Sequence, residues 1–315
     1  MDGSSSPSRG TRRSFFQAAA GASGLAALAR GAETASAPAP LPKVKFGETE
    51  VTRLIIGSNP FYGYTHFNNI YSGMLREYMT QDRRMEILHR AEAAGIGTWQ
   101  LHYNRQTMED FQRYRGEGGK MNWFLLGDFE MMSDLSLVAK VAKELKPIGI
   151  AHHGNRTDER FRAGEMNKVR EFCKAVRDTG VMVGVSTHNP AVVDSIESGG
   201  WDIDYFMTCL YRVTRTREEA REAFGEAPMG EIYMEKDPER MTKMVRATKR
   251  PCLAFKILAA GRSTDRPKDV ETAFRFAFEN IKPSDAVIVG MCGRPANDVS
   301  VNADLARRFG APASA

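Results

Sequence analysis

Eight short apolar runs, none with the in-out alternation of a half-exposed strand, limit what this chain can fold into. They are Arg53–Gly57, Gly97–Leu101, Trp123–Gly127, Ile148–His152, Val181–Ser186, Ile203–Cys209, Leu253–Ile257 and Ala286–Gly290. A strand that is apolar throughout is buried on both faces, the condition of a parallel sheet flanked by helices. The intervening stretches supply those helices. Val270, Ala273, Phe274, Ala277, Phe278 and Ile281 recur on one helical face, as do Val169, Phe172, Cys173 and Val176. Gly95 and Gly180 stand where a helix would end ahead of the next strand. Eight strand-helix units predict an α/β fold, a (β/α)8 TIM barrel, formed by one domain over residues 38–315. An open doubly wound sheet is the alternative, but no Gly-x-Gly-x-x-Gly follows any run.

Residues 1–37 are of another kind. A polar start leads into Thr11-Arg12-Arg13-Ser14-Phe15-Phe16-Gln17, then an Ala/Gly/Leu run over 18–29, then Ala35-Ser36-Ala37. This order is that of a twin-arginine (Tat) signal peptide with a small-x-small cleavage site. It predicts recognition by the Tat translocase and a periplasmic or extracellular mature protein beginning near Pro38. The apolar part falls short of the roughly 20 residues that span a bilayer, so no stable membrane insertion is expected after cleavage.

The net charge of +5 falls to +3 without the leader, and the remaining charges are well mixed, which excludes a nucleic-acid footprint. Four cysteines (Cys173, Cys209, Cys252, Cys292) without a Cys-x-x-Cys pair argue against a disulfide scaffold or a structural zinc site.

Two connections exceed the usual two to six residues or so. Residues 58–79 are rich in aromatics and amides, and residues 212–233 are highly charged. Both leave the C-terminal ends of strands, where barrel enzymes keep their sites, and are expected to wall a pocket for a small-molecule substrate. The Arg-rich run 212–221 is a solvated surface or a contact for an acidic sugar or phosphate.

Six segments, in order, resemble the aldo/keto reductases. They are Gly47-Glu48-Thr49-Glu50-Val51-Thr52-Arg53-Leu54-Ile55-Ile56-Gly57, Gly95-Ile96-Gly97-Thr98-Trp99-Gln100 and Ile148-Gly149-Ile150-Ala151-His152. Then come Gly184-Val185-Ser186-Thr187-His188, Leu253-Ala254-Phe255-Lys256 and Val287-Ile288-Val289-Gly290 with Arg294-Pro295. The resemblance implies an oxidoreductase in which NADP(H) exchanges hydride with a carbonyl while a Tyr acts as acid beside a Lys, an Asp and a His. His152 falls on the family's His. The other positions depart from the pattern: Gln100 stands for the Asp, Arg105 for the Tyr and Gly127-Asp128 for the Lys. Tyr103 or His102 would then replace the acid. Ser186 and Thr187 fall on the nicotinamide-binding pair, and Arg294 and Asn297 on the adenosine-phosphate loop. Lys256, at the end of the seventh run, is a further cation for a phosphate.

The histidines suggest a different chemistry. His66, His102, His152, His153 and His188 all fall at or just past strand ends, and Asp128 and Glu130 follow the third run. Imidazoles with a carboxylate suit a divalent Zn, Mn or Fe ion, with His102, Asp128, His152 and His188 as the ligand set. Adjacent strand residues point to opposite faces, so His152 and His153 cannot both enter the barrel. The coincidence with the family position selects His152. The leading expectation is thus an exported reductase of a small polar carbonyl or sugar with tightly held NADP(H). The alternatives are a metal-dependent carbohydrate lyase, isomerase or hydrolase, and a non-catalytic binding protein.

Overall fold

The computed structural model describes residues 38–293 and 298–311, and from Ala39 onward they form one compact unit. Residues 1–37, where a twin-arginine leader is expected, lie outside the described residues, as do Arg294 and Asn297. Two strands precede the barrel: β1 (Lys43–Phe46) and β2 (Thr49–Thr52) form an antiparallel hairpin. Eight strands then close a parallel barrel: β3 (Leu54–Gly57), β4 (Thr98–His102), β5 (Asn122–Leu126), β6 (Gly149–His152), β7 (Met182–Thr187), β8 (Tyr205–Cys209), β9 (Cys252–Phe255) and β10 (Ala286–Gly290). All eight apolar runs are barrel strands, and β10 pairs with β3 to complete the ring. The fold is a (β/α)8 TIM barrel.

The segment 47–57 is not one strand. It divides at Arg53 into the second hairpin strand and the first barrel strand. Arg53 is buried and donates to the carbonyls of Asp285 (2.8 Å), Gly310 (2.7 Å) and Lys282 (3.0 Å), tying the start of the barrel to its last two segments.

Alternation along the strands sorts the side chains into two cores. Ile55, Phe124, Tyr205, Met207, Leu253 and Ile288 fill the barrel interior. Ile56, Trp99, Leu125, Ile150, Val183 and Phe206 face the helices. The hairpin closes the N-terminal end, where the Phe46 ring lies 5.3 Å from Phe124 and 6.1 Å from Tyr205. Tyr205 fills this layer because its neighbours on β6 and β7 have no side chains. A Cβ on Gly149 would come within 2.7 Å of the ring, and one on Gly184 within 2.3 Å.

The helical patterns are realised. Val169, Phe172, Cys173 and Val176 are the buried face of the helix Met166–Arg177. Gly95 and Gly180 take φ of +90° and +82° past their helices, the left-handed turn that glycine makes without a Cβ penalty. The two long connections carry short helices of their own, Asn69–Tyr78 and Arg217–Phe224. Among the described residues no helix is long and apolar enough to cross a membrane.

Candidate active site

The C-terminal ends of β4 to β7 bring three imidazoles and a carboxylate to one mouth. On β6 the inward parity falls on Gly149, Ala151 and then His153, because Ile150 and His152 face the helices. The His152 ring lies 5.2 Å from Phe172 of the outer helix layer, and its Nδ1 bonds Thr157 Oγ1 at 2.7 Å. Burial pushes its pKa down to about 3, so it is a neutral, internally satisfied imidazole. The histidine that enters the mouth is His153. Its pKa is lowered to about 4 by burial first, against the opposing field of Asp128, and the neighbouring His188 and His102 lower it further. His153 Nδ1 is buried and, among the described residues, has no hydrogen-bond partner.

His188, just past β7, is the most firmly oriented of the set. Its Nδ1 meets Asp158 Oδ2 at 3.1 Å, and its backbone N–H donates to the same oxygen at 3.0 Å. Asp158 lies on the helix Gly154–Arg162 and also accepts from Thr187 Oγ1 (2.5 Å) and Thr214 Oγ1 (2.7 Å). Burial would raise the Asp158 pKa, but the bonds from His188, Thr187 and Thr214 outweigh it and hold it below the usual range. Burial lowers the His188 pKa in turn. A neutral imidazole donating from Nδ1 to a fixed carboxylate presents Nε2 as a lone-pair acceptor. Gly154 makes room for this arrangement, since a Cβ there would meet His188 Cε1 and Ser186 Oγ at 2.9 Å each.

His102 completes the group from β4. Tyr62 and Tyr64 flank it, each with its ring centroid 5.3 Å away, and Asn104 Nδ2 donates to His102 Nε2 at 2.5 Å. Burial lowers its pKa although Asp128 opposes the shift. Asp128 caps the helix Phe129–Ser133 and accepts from its first backbone N–H at 2.6 Å.

Two more groups come from the rim. Lys256 follows β9 with φ +58°, and Ala259 and Ala260 also adopt positive φ. Three non-glycine residues in left-handed backbone cost roughly 1–2 kcal/mol each, which marks this turn as strained to place what it carries. The Lys256 charge acts on both His188 and His66. His66, from the aromatic connection, bonds Glu231 of the charged connection at 2.8 Å. Arg262 stacks on Phe67 (4.2 Å) and on Tyr233 (3.8 Å), so the two long connections are clasped to each other over one side of the mouth.

The remaining expected site residues are placed as follows. Ser186 faces the mouth beside His188, whereas Thr187 faces outward and its hydroxyl is committed to Asp158 and to the Asn189 backbone. Tyr103 is partly buried against the helix-facing core. Gln100 Nε2 donates to the Leu101 carbonyl at 3.0 Å, and Arg105 is exposed and paired with Glu109. Of the residues expected at the reductase positions, Tyr103 and His152 thus pack outward and His102 reaches the mouth, while the Thr187 hydroxyl is taken up by Asp158.

The metal set does not assemble. His152 faces away from His102, Asp128 and His188, and among the described residues no three His, Cys, Asp or Glu side chains are placed to hold a metal ion. Cys209 is fully buried, its pKa pushed up to about 12 by burial, and serves as apolar filling.

No family model matches the chain, and no curated protein matches it. Among solved structures it is similar to an aldo/keto reductase from Brucella melitensis at 14% identity, covering 86% of this chain and 94% of that one, with a TM-score of 0.47. A truncated 3-deoxy-D-arabino-heptulosonate 7-phosphate synthase from Thermotoga maritima matches at 15% identity over 85% and 91%, also with a TM-score of 0.47. An aldose reductase from Giardia lamblia matches at 10% identity over 73% and 89%, with a TM-score of 0.45.

Proposed function

We propose that this protein is an acid/base enzyme that moves a proton on a small polar carbonyl compound or sugar held in the barrel mouth. The observation that carries this reading is the His188–Asp158 pair, in which a buried carboxylate with several donors fixes one tautomer of a neutral imidazole. His188 Nε2 takes a proton from the carbon beside the substrate carbonyl, and Asp158 stabilises the imidazolium that forms. The bonding pair moves to the carbonyl oxygen, whose developing charge is met by Lys256. His153, kept neutral by burial, hydrogen-bonds the substrate oxygen and positions it. Return of the proton to the same or the neighbouring carbon gives exchange, epimerisation or isomerisation without any redox change. Tyr64 and the clasped connections form the wall of the mouth.

The test is proton exchange. Aldoses, ketoses and hydroxy-ketones are incubated with the protein in D2O, and loss of the C–H signal beside the carbonyl is followed by proton NMR without added nucleotide or metal. The expected result is catalysed exchange that His188→Gln slows by about 10²–10⁴-fold. Exchange unchanged in His188→Gln would sink the reading. So would turnover that occurs only with NADPH oxidation, which would return the site to the reductases.

A further inference from the structure

A second concavity adjoins the mouth at His188. It is a cleft of about 390 Å³ between the end of β7 and the connection after β8, with His188, Leu210, Arg212, Arg215, Asp237 and Arg240 among its lining residues. Its charge is unbalanced, with three guanidinium groups against one carboxylate. That carboxylate is already saturated. Asp237 is buried and accepts from Arg215 Nη1 (2.7 Å) and Nη2 (2.5 Å), from Arg240 Nη1 (3.2 Å) and from the Arg212 backbone N–H (3.2 Å). Arg212 pairs with Glu219, outside the lining, through Nη2 at 2.5 Å. Each guanidinium carries five N–H donors, more than these partners use, so a cleft lined by three of them and one saturated carboxylate suits an oxyanion. Arginine's planar fork suits phosphate and carboxylate alike.

We propose that this cleft is an oxyanion subsite that holds a phosphate or carboxylate carried by the substrate, with the substrate's reacting end at His188. The proposal rests on the acid/base reading of the mouth and names its substrate class: a sugar phosphate or a sugar acid rather than a neutral sugar. Arg212 and Arg240 supply donors to the anion. Arg215, held bidentately by Asp237, fixes the wall against which it sits.

Calorimetric titration of the full chain at low ionic strength tests this, with inorganic phosphate, glucose 6-phosphate, glucuronate and glucose as probes. At least one anionic probe is expected to bind and glucose is not. Binding of phosphate and its ester alone assigns a phosphate source, and binding of glucuronate alone assigns a carboxylate. Arg212→Gln and Arg240→Gln are each expected to weaken the bound anion about tenfold, the scale of one lost charged hydrogen bond. Arg240 is 57% exposed at its side chain, so its loss leaves the fold intact and serves as the control for Arg212. Lys256→Gln, in the mouth and outside the cleft's lining, is expected to keep phosphate binding within about threefold while slowing proton exchange, which separates failure of the subsite from failure of the mouth. Equal anion binding in the wild type and the double arginine variant would overturn the proposal, as would binding of glucose equal to that of its phosphate.

Discussion

The two ends of the barrel are built from the same eight strands and settle their polar groups in opposite ways. At the N-terminal end Phe46, Phe124 and Tyr205 meet ring to ring, and glycines on β6 and β7 open the space they fill. At the C-terminal end the strands deliver His102, Asp128, His153 and Ser186, and the turns just beyond add His188 and Lys256. The lower end gains stability from close packing, and among the described residues its one hydroxyl, Tyr205 Oη, is buried without a partner. The upper end gathers titratable side chains and keeps its imidazoles neutral by burial. The contrast assigns stability to one end and chemistry to the other.

Substitutions at the two ends should therefore separate in their effects. The largest loss of stability is expected at the base. Phe46→Ala empties the plug and should cost about 3–5 kcal/mol in denaturant unfolding, while anion binding at the arginine cleft stays unchanged. A cost below about 1 kcal/mol would mean that the hairpin does not seal the barrel.

A smaller, pH-dependent effect is expected at the mouth. The folded-state pKa of His153 lies at about 4, below the ordinary value of 6.5. Between those two values the unfolded chain binds a proton that the fold refuses. Stability contributed above pH 6.5 is thus lost as the pH falls through the folded value. His153→Gln should flatten the acid limb of the stability profile by about 3 kcal/mol between pH 7 and pH 4. At pH 7 it should change stability by less than about 1 kcal/mol. His152, whose pKa is lowered further still, continues to contribute to the acid limb in that variant.

Much of the fold is legible in the sequence because burial on both faces leaves continuous apolar runs, and each of the eight became a barrel strand. The hairpin is not, since Lys43–Phe46 and Thr49–Thr52 are short and half polar, and Arg53 hides the break between hairpin and barrel. The site is legible as a location but not as a set of side chains. His102, Asp128, Ser186, His188 and Lys256 all reach the mouth, as their strand-end positions imply. The choice between His152 and His153 depended on strand parity, which Ile148-Gly149-Ile150-Ala151 does not reveal. The informative residue was Tyr205, whose bulk requires Gly149 and Gly184 to face inward and so sends His153, not His152, into the mouth. Asp158 gave no signal, because it sits within a charged helix and acquires its role only when Thr187, His188 and Thr214 fold onto it.

The proposed acid/base role of the mouth requires neutral imidazoles, one of them held in a single tautomer by Asp158. Nitrogen-15 NMR of the histidine rings across pH 3 to 8 tests it most directly. His188 is expected to carry its proton on Nδ1 and to stay neutral below the ordinary histidine range, and His153 to titrate at about 4. Titration of both rings near 6.5, or a His188 ring protonated on Nε2, would contradict it.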